Sequence, residues 1–377
     1  MKKKIFIVVN VDWFFLSHRL PIALAAQENG FDVTIITKDS GRRSEIEEHG
    51  LKFCDMPFER SVFNPINEYL LYLRLKKMYK KEKPDIVHHV TLKPMILGSL
   101  AAKCNPNISI VNAVSGLGIL FSSEGSKLKR VLVLKLLRKA FDLKNKVRVI
   151  FQNHEDKSIF LDANLIEKNQ AVFIKGSGVN LEEFSYVPTK IDKKRRVFMA
   201  ARLLYPKGFH EFFLAAQHIK SKEEFKDVDF IIAGGLDDIN PSAIQESTIK
   251  QWEETGSIKW IGFSKDMKKD IALSDVVVFP SYYGEGVPKF LIETCAIGRP
   301  IITTNHAGCR DCVEHGRNGY LVPSKDHLEM AEYLMNLLRD PQLCEDFGLH
   351  SRLKAENEFS IELVTGIHMK IYQELSN

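Results

Sequence analysis

Short apolar runs rich in Val and Ile alternate along the chain with longer segments whose apolar residues recur every three or four positions. In the first half, the runs at 4–10, 31–37, 51–56, 85–90, 109–114, 147–152 and 171–175 predict strands. The segments 18–29, 65–81, 94–104 and 127–142 between them predict helices. Apolar strands separated by helices are the pattern of a parallel sheet covered on both faces. A polar stretch, VPTKIDKKRR, interrupts the alternation around 188–196, and strands are expected again at 197–201, 228–233, 258–261, 275–280, 300–304 and 319–322. This restart predicts a second α/β domain after a linker. Open parallel sheets bind ligands beyond the carboxyl ends of their strands, so two Rossmann-like domains predict a site in a central cleft that both sheets face.

The chain's 377 residues are too many for one core and suit two domains. Hydrophobic residues at 45% and charged ones at 27% are ordinary for a soluble globular protein. Six scattered cysteines, at 54, 104, 295, 309, 312 and 344, fit a reducing compartment. The apolar run Ile5–Val9 stops at Asn10, too soon for a signal peptide. No stretch reaches the roughly 18–20 apolar residues that cross a bilayer. A cytoplasmic protein is expected, with any membrane contact made peripherally.

The segment 275–304, DVVVFPSYYGEGVPKFLIETCAIGRPIITT, carries the most chemistry. A buried strand enters a polar loop, and a helix then starts near Pro288, where a missing N–H costs nothing. Its amino end is suited to an anion. Glu285 precedes the helix and Glu293 lies on it. Eight helical residues rise roughly 12 Å and leave a net offset of about 80°, so both carboxylates can face one groove. That spacing suits a nucleotide sugar, with hydroxyls at each end and a diphosphate between; two solvated helix glutamates fit the spacing as well.

The surrounding residues resemble family-4 retaining glycosyltransferases of the GT-B fold. The resemblance is carried by EGVPKFLIE (285–293), GRPIITT, AGCRDCVEHGRNGYLVP and, upstream, AARLLYPKG. Glu285 and Glu293 match the family's Glu, seven residues, Glu hallmark. Arg202 and Lys207 match the Arg and Lys that clamp the donor diphosphate. The resemblance also reaches KGSGVNLEEF with Gly178, AGGLDDINP with Gly234, and the tail FSIELVTGIHMKIYQEL. It implies an N-terminal acceptor-side domain over 1–185, a nucleotide-sugar domain over 186–358, and a helix over 359–377 that returns to the first domain. It also implies donor contacts along Gly286, Val287, Pro288, Lys289, Phe290 and Leu291. Two cations beside a leaving diphosphate would neutralise its growing charge without a metal.

Many family members have a Gly-Gly loop after the first strand, where this chain reads NVDWFFLSHRLP. That segment, with NAVSGLGILF (112–121), resembles a branch acting on lipid-linked oligosaccharides. It points to His18 as a catalytic candidate and to His89, Lys93, Ser115, Gly116 and Gly118 on the active face, with Asn153 and Asp156 also fitting the branch. Each histidine fits a packing role equally well. The implied acceptor is a polyprenyl-diphosphate-linked glycan of bacterial surface polysaccharide assembly, and the implied donor a UDP-sugar.

Between 127 and 148 the chain reads KLKRVLVLKLLRKAFDLKNKVR. Lys127, Lys129, Arg130, Lys135, Arg138, Lys139, Lys144, Lys146 and Arg148 outnumber a single acid, Asp142. Interleaved Leu and Val suggest a basic amphipathic helix on the anionic cytoplasmic face of the inner membrane; a solvated face over the sheet is the alternative. A second basic cluster, RLKKMYKKEK, ends the 65–81 helix. No aromatic interleaving or binding motif supports nucleic acid. Cys309 and Cys312 lack the second pair that a zinc site needs, so no metal or cofactor is expected. A sugar-nucleotide epimerase or hydrolase of the same fold, or a non-catalytic partner subunit, are the other readings.

Overall fold

The computed structural model describes residues 2–59, 64–118, 127–142, 145–189, 194–237 and 240–376. Parts of the stretches read above at 119–121, 190–193 and 238–239, Lys144, and the side chains of Lys127 and Lys129, lie outside the described residues.

The chain forms two compact units, residues 1–178 with 361–377, and residues 179–360. The expected boundaries stood at 185/186 and 358/359. In the first unit the strands are β1 (Lys4–Val11), β2 (Asp32–Lys38), β3 (Lys52–Asp55), β4 (Ile86–Val90), β5 (Ser109–Val114), β6 (Val147–Phe151) and β7 (Ala171–Phe173). Its helices are α1 (Asp12–His18), α2 (Leu20–Glu28), α3 (Arg43–Glu48), α4 (Pro65–Glu82), α5 (Leu92–Ala102), α6 (Lys127–Phe141) and α7 (His154–Asp162). The second unit holds β8 (Arg196–Ala200), β9 (Asp229–Ala233), β10 (Lys259–Trp260), β11 (Val276–Phe279), β12 (Ile301–Thr304) and β13 (Gly319–Val322). With them go α8 (Phe209–Lys220), α9 (Glu246–Glu254), α10 (Met267–Ala272), α11 (Lys289–Ile297), α12 (His327–Arg339) and α13 (Pro341–Lys354). Finally α14 (Ile361–Ser376) joins the first unit.

Both sheets are parallel, in the orders β3-β2-β1-β4-β5-β6-β7 and β10-β9-β8-β11-β12-β13. The chain order reverses between β1 and β4 and between β8 and β11. Loops leaving those strands diverge to opposite faces and open a crevice, the place where such sheets bind ligands. Each sheet has an apolar layer on both faces, which explains the unbroken apolar runs.

The helix expected over 18–29 is α2, and a further helix not expected from the sequence, α1, precedes it, the two separated at Arg19. Pro21 lies in the first turn of α2; without an N–H it cannot continue the helix before it. The tail packs on the first sheet: Tyr372 OH meets His88 Nδ1 at 2.6 Å, and Ser109 donates to the Leu375 carbonyl at 3.0 Å. No helix among the described residues is long and apolar enough to cross a membrane.

Candidate active site

In the second unit the switch point joins the loops after β8 and β11. The first carries Arg202 and a 3₁₀ turn, Tyr205–Lys207; the second carries residues 280–288. The Pro206 carbonyl accepts from the Tyr282 N–H at 2.9 Å and the Ser281 hydroxyl at 3.3 Å, strapping the loops together. Gly208 closes the turn at φ +88, where a Cβ would stand 2.4 Å from the Pro280 carbonyl oxygen. Only glycine permits both the conformation and the approach.

This strapping delivers Lys207 to Glu285. Their side chains form an ion pair, both largely buried, and Ser281 donates to the same Glu285 oxygen at 3.2 Å. The Lys207 ammonium also lies 5.1 Å from the Tyr283 ring centre and 5.5 Å from that of Phe279. Arg202 pairs instead with Asp237, at 3.0 Å, so the two expected phosphate cations have separate carboxylate partners.

Helix α11 follows with Pro288 as its N-cap and no side chain capping it. Glu293 is buried, 3.5 Å from the Lys289 ammonium. Burial raises its pKa and nearby Lys289 opposes that shift. Val287 and Leu291 are core residues, and Phe290 packs edge-on against Phe198, so their side chains serve packing and leave backbone as what this stretch offers a ligand. Gly286 is fixed from below by Gly308, at φ +80, whose Cβ would stand 1.7 Å from the Gly286 carbonyl oxygen.

Two glycines expected at the donor have packing roles. Gly234 donates to the Gly262 carbonyl and accepts from Trp260 Nε1, and its Cβ would stand 2.1 Å from the Ala201 carbonyl oxygen. Gly178, at φ +79, packs against Ile361 at the start of α14.

In the first unit His18 ends α1, stacks on Phe14 at 4.2 Å and lies 2.5 Å from the Ser17 hydroxyl. His89 is not on an active face. It is fully buried between Tyr79 OH, at 3.0 Å, and Asn112 Oδ1, at 2.9 Å, because it sits mid-sheet on β4. Lys93 is also committed, bonding Glu68 Oε1 and the Glu59 carbonyl, each at 2.6 Å. Ser115 accepts from Arg19 at 3.0 Å and begins a turn in which Gly116 and Gly118 have φ of +92 and +66. Asp156, pushed up to about 7 by burial, accepts from Asn153 Nδ2 at 3.0 Å and from the Leu117 N–H, fixing that turn's far side.

Burial also holds His89 and His368 down at about 4, and His88 well below its usual range. Their folded pKa values lie below the unfolded value of about 6.5. Stability is therefore full above about pH 6.5 and falls as pH drops toward 4, because the unfolded chain takes up protons that the buried rings refuse. Each ring contributes a slope of up to about 1.4 kcal/mol per pH unit. Urea midpoints measured between pH 7 and pH 4.5 should fall steeply, and less so in His368→Gln; a flat profile would contradict the buried neutral rings.

Among the described residues no group of three or more His, Cys, Asp or Glu is arranged to hold a metal ion. Cys309 and Cys312 are fully buried, and burial raises both thiol pKa values.

Two family profiles match the chain: Glycosyl transferase 4-like over residues 4–153, and Glycosyl transferases group 1 over residues 180–354. The chain belongs to the family-4 glycosyltransferases. Their GT-B fold recurs in solved structures, among them sucrose-phosphate synthase of Thermosynechococcus elongatus (16% identity, TM-score 0.80, 99% of each chain). HepE of Anabaena, solved with UDP and glucose, aligns at 16% identity and TM-score 0.77 over 99% of this chain and 100% of its own. In sequence this glycosyltransferase is 26% identical to the N,N'-diacetylbacillosaminyl-diphospho-undecaprenol alpha-1,3-N-acetylgalactosaminyltransferase of Campylobacter jejuni, over 96% of this chain and 98% of that one. It is 27% identical to the UDP-Gal:alpha-D-GlcNAc-diphosphoundecaprenol alpha-1,3-galactosyltransferase of Escherichia coli, over 88% and 86%.

Several residues of the glycosyltransferase's site gave no sequence signal of their own. Ser281 and Asp237 are single polar residues in loops, and only the fold shows that they meet Glu285 and Arg202. Asp12 was equally silent. Buried at the end of β1, it accepts from the Ser40 hydroxyl and from the Ser40, Arg42 and Trp13 N–H groups; burial alone would raise its pKa, and these bonds, the hydroxyl's first, hold it below the usual carboxylate range.

Proposed function

We propose that this glycosyltransferase moves a hexose or N-acetylhexosamine from a UDP-sugar to a polyprenyl-diphosphate-linked glycan at a membrane surface, with retention and without a metal. The observation that carries this reading is the Lys207–Glu285 pair at the second sheet's switch point, beside the uncapped amino end of α11. A diphosphate over that helix end meets its dipole and the Lys207 ammonium. Glu285 then turns to the sugar hydroxyls, and Glu293 faces the nucleoside end. The acceptor class is supported by the activities of the two relatives with diphospho-undecaprenol substrates, and the UDP-linked donor by that of the Escherichia coli enzyme.

In the proposed step the acceptor hydroxyl attacks the anomeric carbon as the bond from that carbon to the phosphate oxygen breaks. Its proton passes to the departing phosphate oxygen on the same face, through an oxocarbenium-like state. Lys207 and Arg202 stabilise the growing negative charge. The test is turnover of UDP-sugars with and without a polyprenyl-diphosphate-linked acceptor. UDP release and a new glycan band only when both are present support transfer; isomerised donor or donor hydrolysis alone would replace it with the epimerase or hydrolase reading.

Membrane attachment is supported by α6. Leu128, Val131 and Leu132 are exposed and continue along one helical face into exposed Lys135, Arg138 and Lys139, while Leu137 and Ala140 pack inward. On α4, Ile66, Tyr69, Leu70 and Leu73 form a second exposed apolar stripe at the same helical spacing. Both helices pack against α5. Vesicles containing phosphatidylglycerol should float the protein at low salt and release it at high salt, and replacing Lys135, Arg138 and Lys139 by Glu should abolish flotation. Salt-insensitive flotation, or none, would remove the membrane reading.

A further inference from the structure

Arg19 is 3% exposed, yet among the described residues its guanidinium has no carboxylate partner. It donates to the His18 carbonyl at 2.9 Å and to the Ser115 hydroxyl at 3.0 Å, and its buried Nε has no partner. Burying a cation costs several kcal/mol unless an anion or a full set of acceptors compensates it. Two neutral acceptors for five donors leave that compensation incomplete. Among the described residues the other fully buried arginine, Arg299, also has an unpartnered Nε, but its two terminal nitrogens make three bonds to carbonyls, of Val187, Gly298 and Ala272, against one carbonyl and one hydroxyl for Arg19.

The surroundings of Arg19 are short of partners too. In the first sheet β4 lies between β1 and β5, and the order reverses at β1 and β4. Ser115 follows β5 directly. Thr91 follows β4, and its N–H bonds the Ala113 carbonyl at 3.1 Å, so the ends of these two strands adjoin. Arg19, coming from the β1 side to reach Ser115, therefore passes over the carboxyl end of β4. There the Thr91 hydroxyl is buried without a partner, and it leaves α5 uncapped although Thr91 is the N-cap residue. Thr91 also has φ +73 and ψ 163, a conformation that non-glycine residues rarely adopt and that costs about 1–3 kcal/mol. At the end of β1, the buried Asn10 Oδ1 likewise lacks a partner.

We propose that Arg19, Thr91 and Ser115 form a phosphoryl-binding site at the switch point of the first unit, with Asn10 accepting a hydroxyl of the attached sugar. The guanidinium supplies charge and a planar set of donors, the two hydroxyls supply further donors, and the amino end of α5 contributes its dipole. One acceptor, Asn10, beside several donors fits a sugar diphosphate better than a bare sugar. The inference rests on the reading that this protein handles sugar diphosphates, and it adds that the N-terminal unit grips one by its phosphate. The ligand is the diphosphate of either the lipid-linked acceptor or the donor.

Binding and kinetics together test this. Inorganic diphosphate is titrated calorimetrically into the full chain on a Lys207→Ala background, which removes the cation of the second unit's site. The same titration is made with Arg19→Gln, Arg19→Lys and Thr91→Val added. The expected result is binding that Arg19→Gln weakens at least tenfold, Thr91→Val weakens severalfold and Arg19→Lys partly restores. Equal binding in all would overturn the site even if transfer were observed; binding lost in this pattern would uphold it even if transfer were not. With transfer established, KM is compared for a diphosphate-linked acceptor and for an alkyl glycoside of the same sugar. A KM rise confined to the diphosphate-linked acceptor assigns the site to the acceptor, and a rise in donor KM with both acceptors assigns it to the donor. Should Arg19→Gln fail to fold, Thr91→Val alone decides: unchanged diphosphate binding contradicts the proposal.

Discussion

Lys207→Ala is expected to lower turnover of the nucleotide sugar on the order of 100- to 1,000-fold, the usual cost of removing one preorganised group that stabilises developing negative charge. Steady-state kinetics at saturating donor is the measurement, because the loss belongs to the chemical step and should appear in kcat. The same substitution takes the cation away from the largely buried Glu285 carboxylate, so some stability is lost as well. Pairing Lys207→Gln with Glu285→Gln separates the effects. The double variant has no unpaired charge and should recover most of the thermal stability while remaining inactive. Recovery of turnover along with stability would mean that the pair only holds the loop.

Gly308→Ala is expected to cost about as much without touching a charged group. Its Cβ would stand 1.7 Å from the Gly286 carbonyl oxygen, so the loop carrying Glu285 must move by more than an ångström. A displacement of that size at reacting groups costs on the order of 100-fold in kcat/KM. Gly316→Ala is the control: that glycine has a similar φ of +76, but nothing lies within 4 Å of its would-be Cβ. It should lose the roughly 1–2 kcal/mol of the left-handed backbone and keep its turnover. Equal kinetic losses in the two variants would show that backbone strain, not loop placement, is responsible.

The fold was legible because a parallel sheet covered on both faces needs apolar strands that stand out against their flanks. β5 and β13 fall on the expected residues, and the other strands lie within two residues of theirs at either end. α1 was missed because the first helix was expected only from His18, and a seven-residue segment is too short to show a helical repeat of its own. In the site, Glu285 and Lys207 were legible through motif order. Which partner each side chain takes was not, since it depends on two loops separated by about eighty residues meeting at one switch point. The partners of His89 and Lys93 were hidden for the same reason. A histidine within a strand and a lysine in a helix's first turn look alike whether they face a ligand or, as here, Asn112 and Glu68.

The central claim is that a nucleoside diphosphate sits over the amino end of α11 against Lys207. Calorimetric titration of UDP into the wild-type chain and into Lys207→Ala tests it without knowledge of the sugar or the acceptor. UDP should bind the wild type, with affinity falling at least tenfold in the variant. Equal affinity in the two proteins would contradict it.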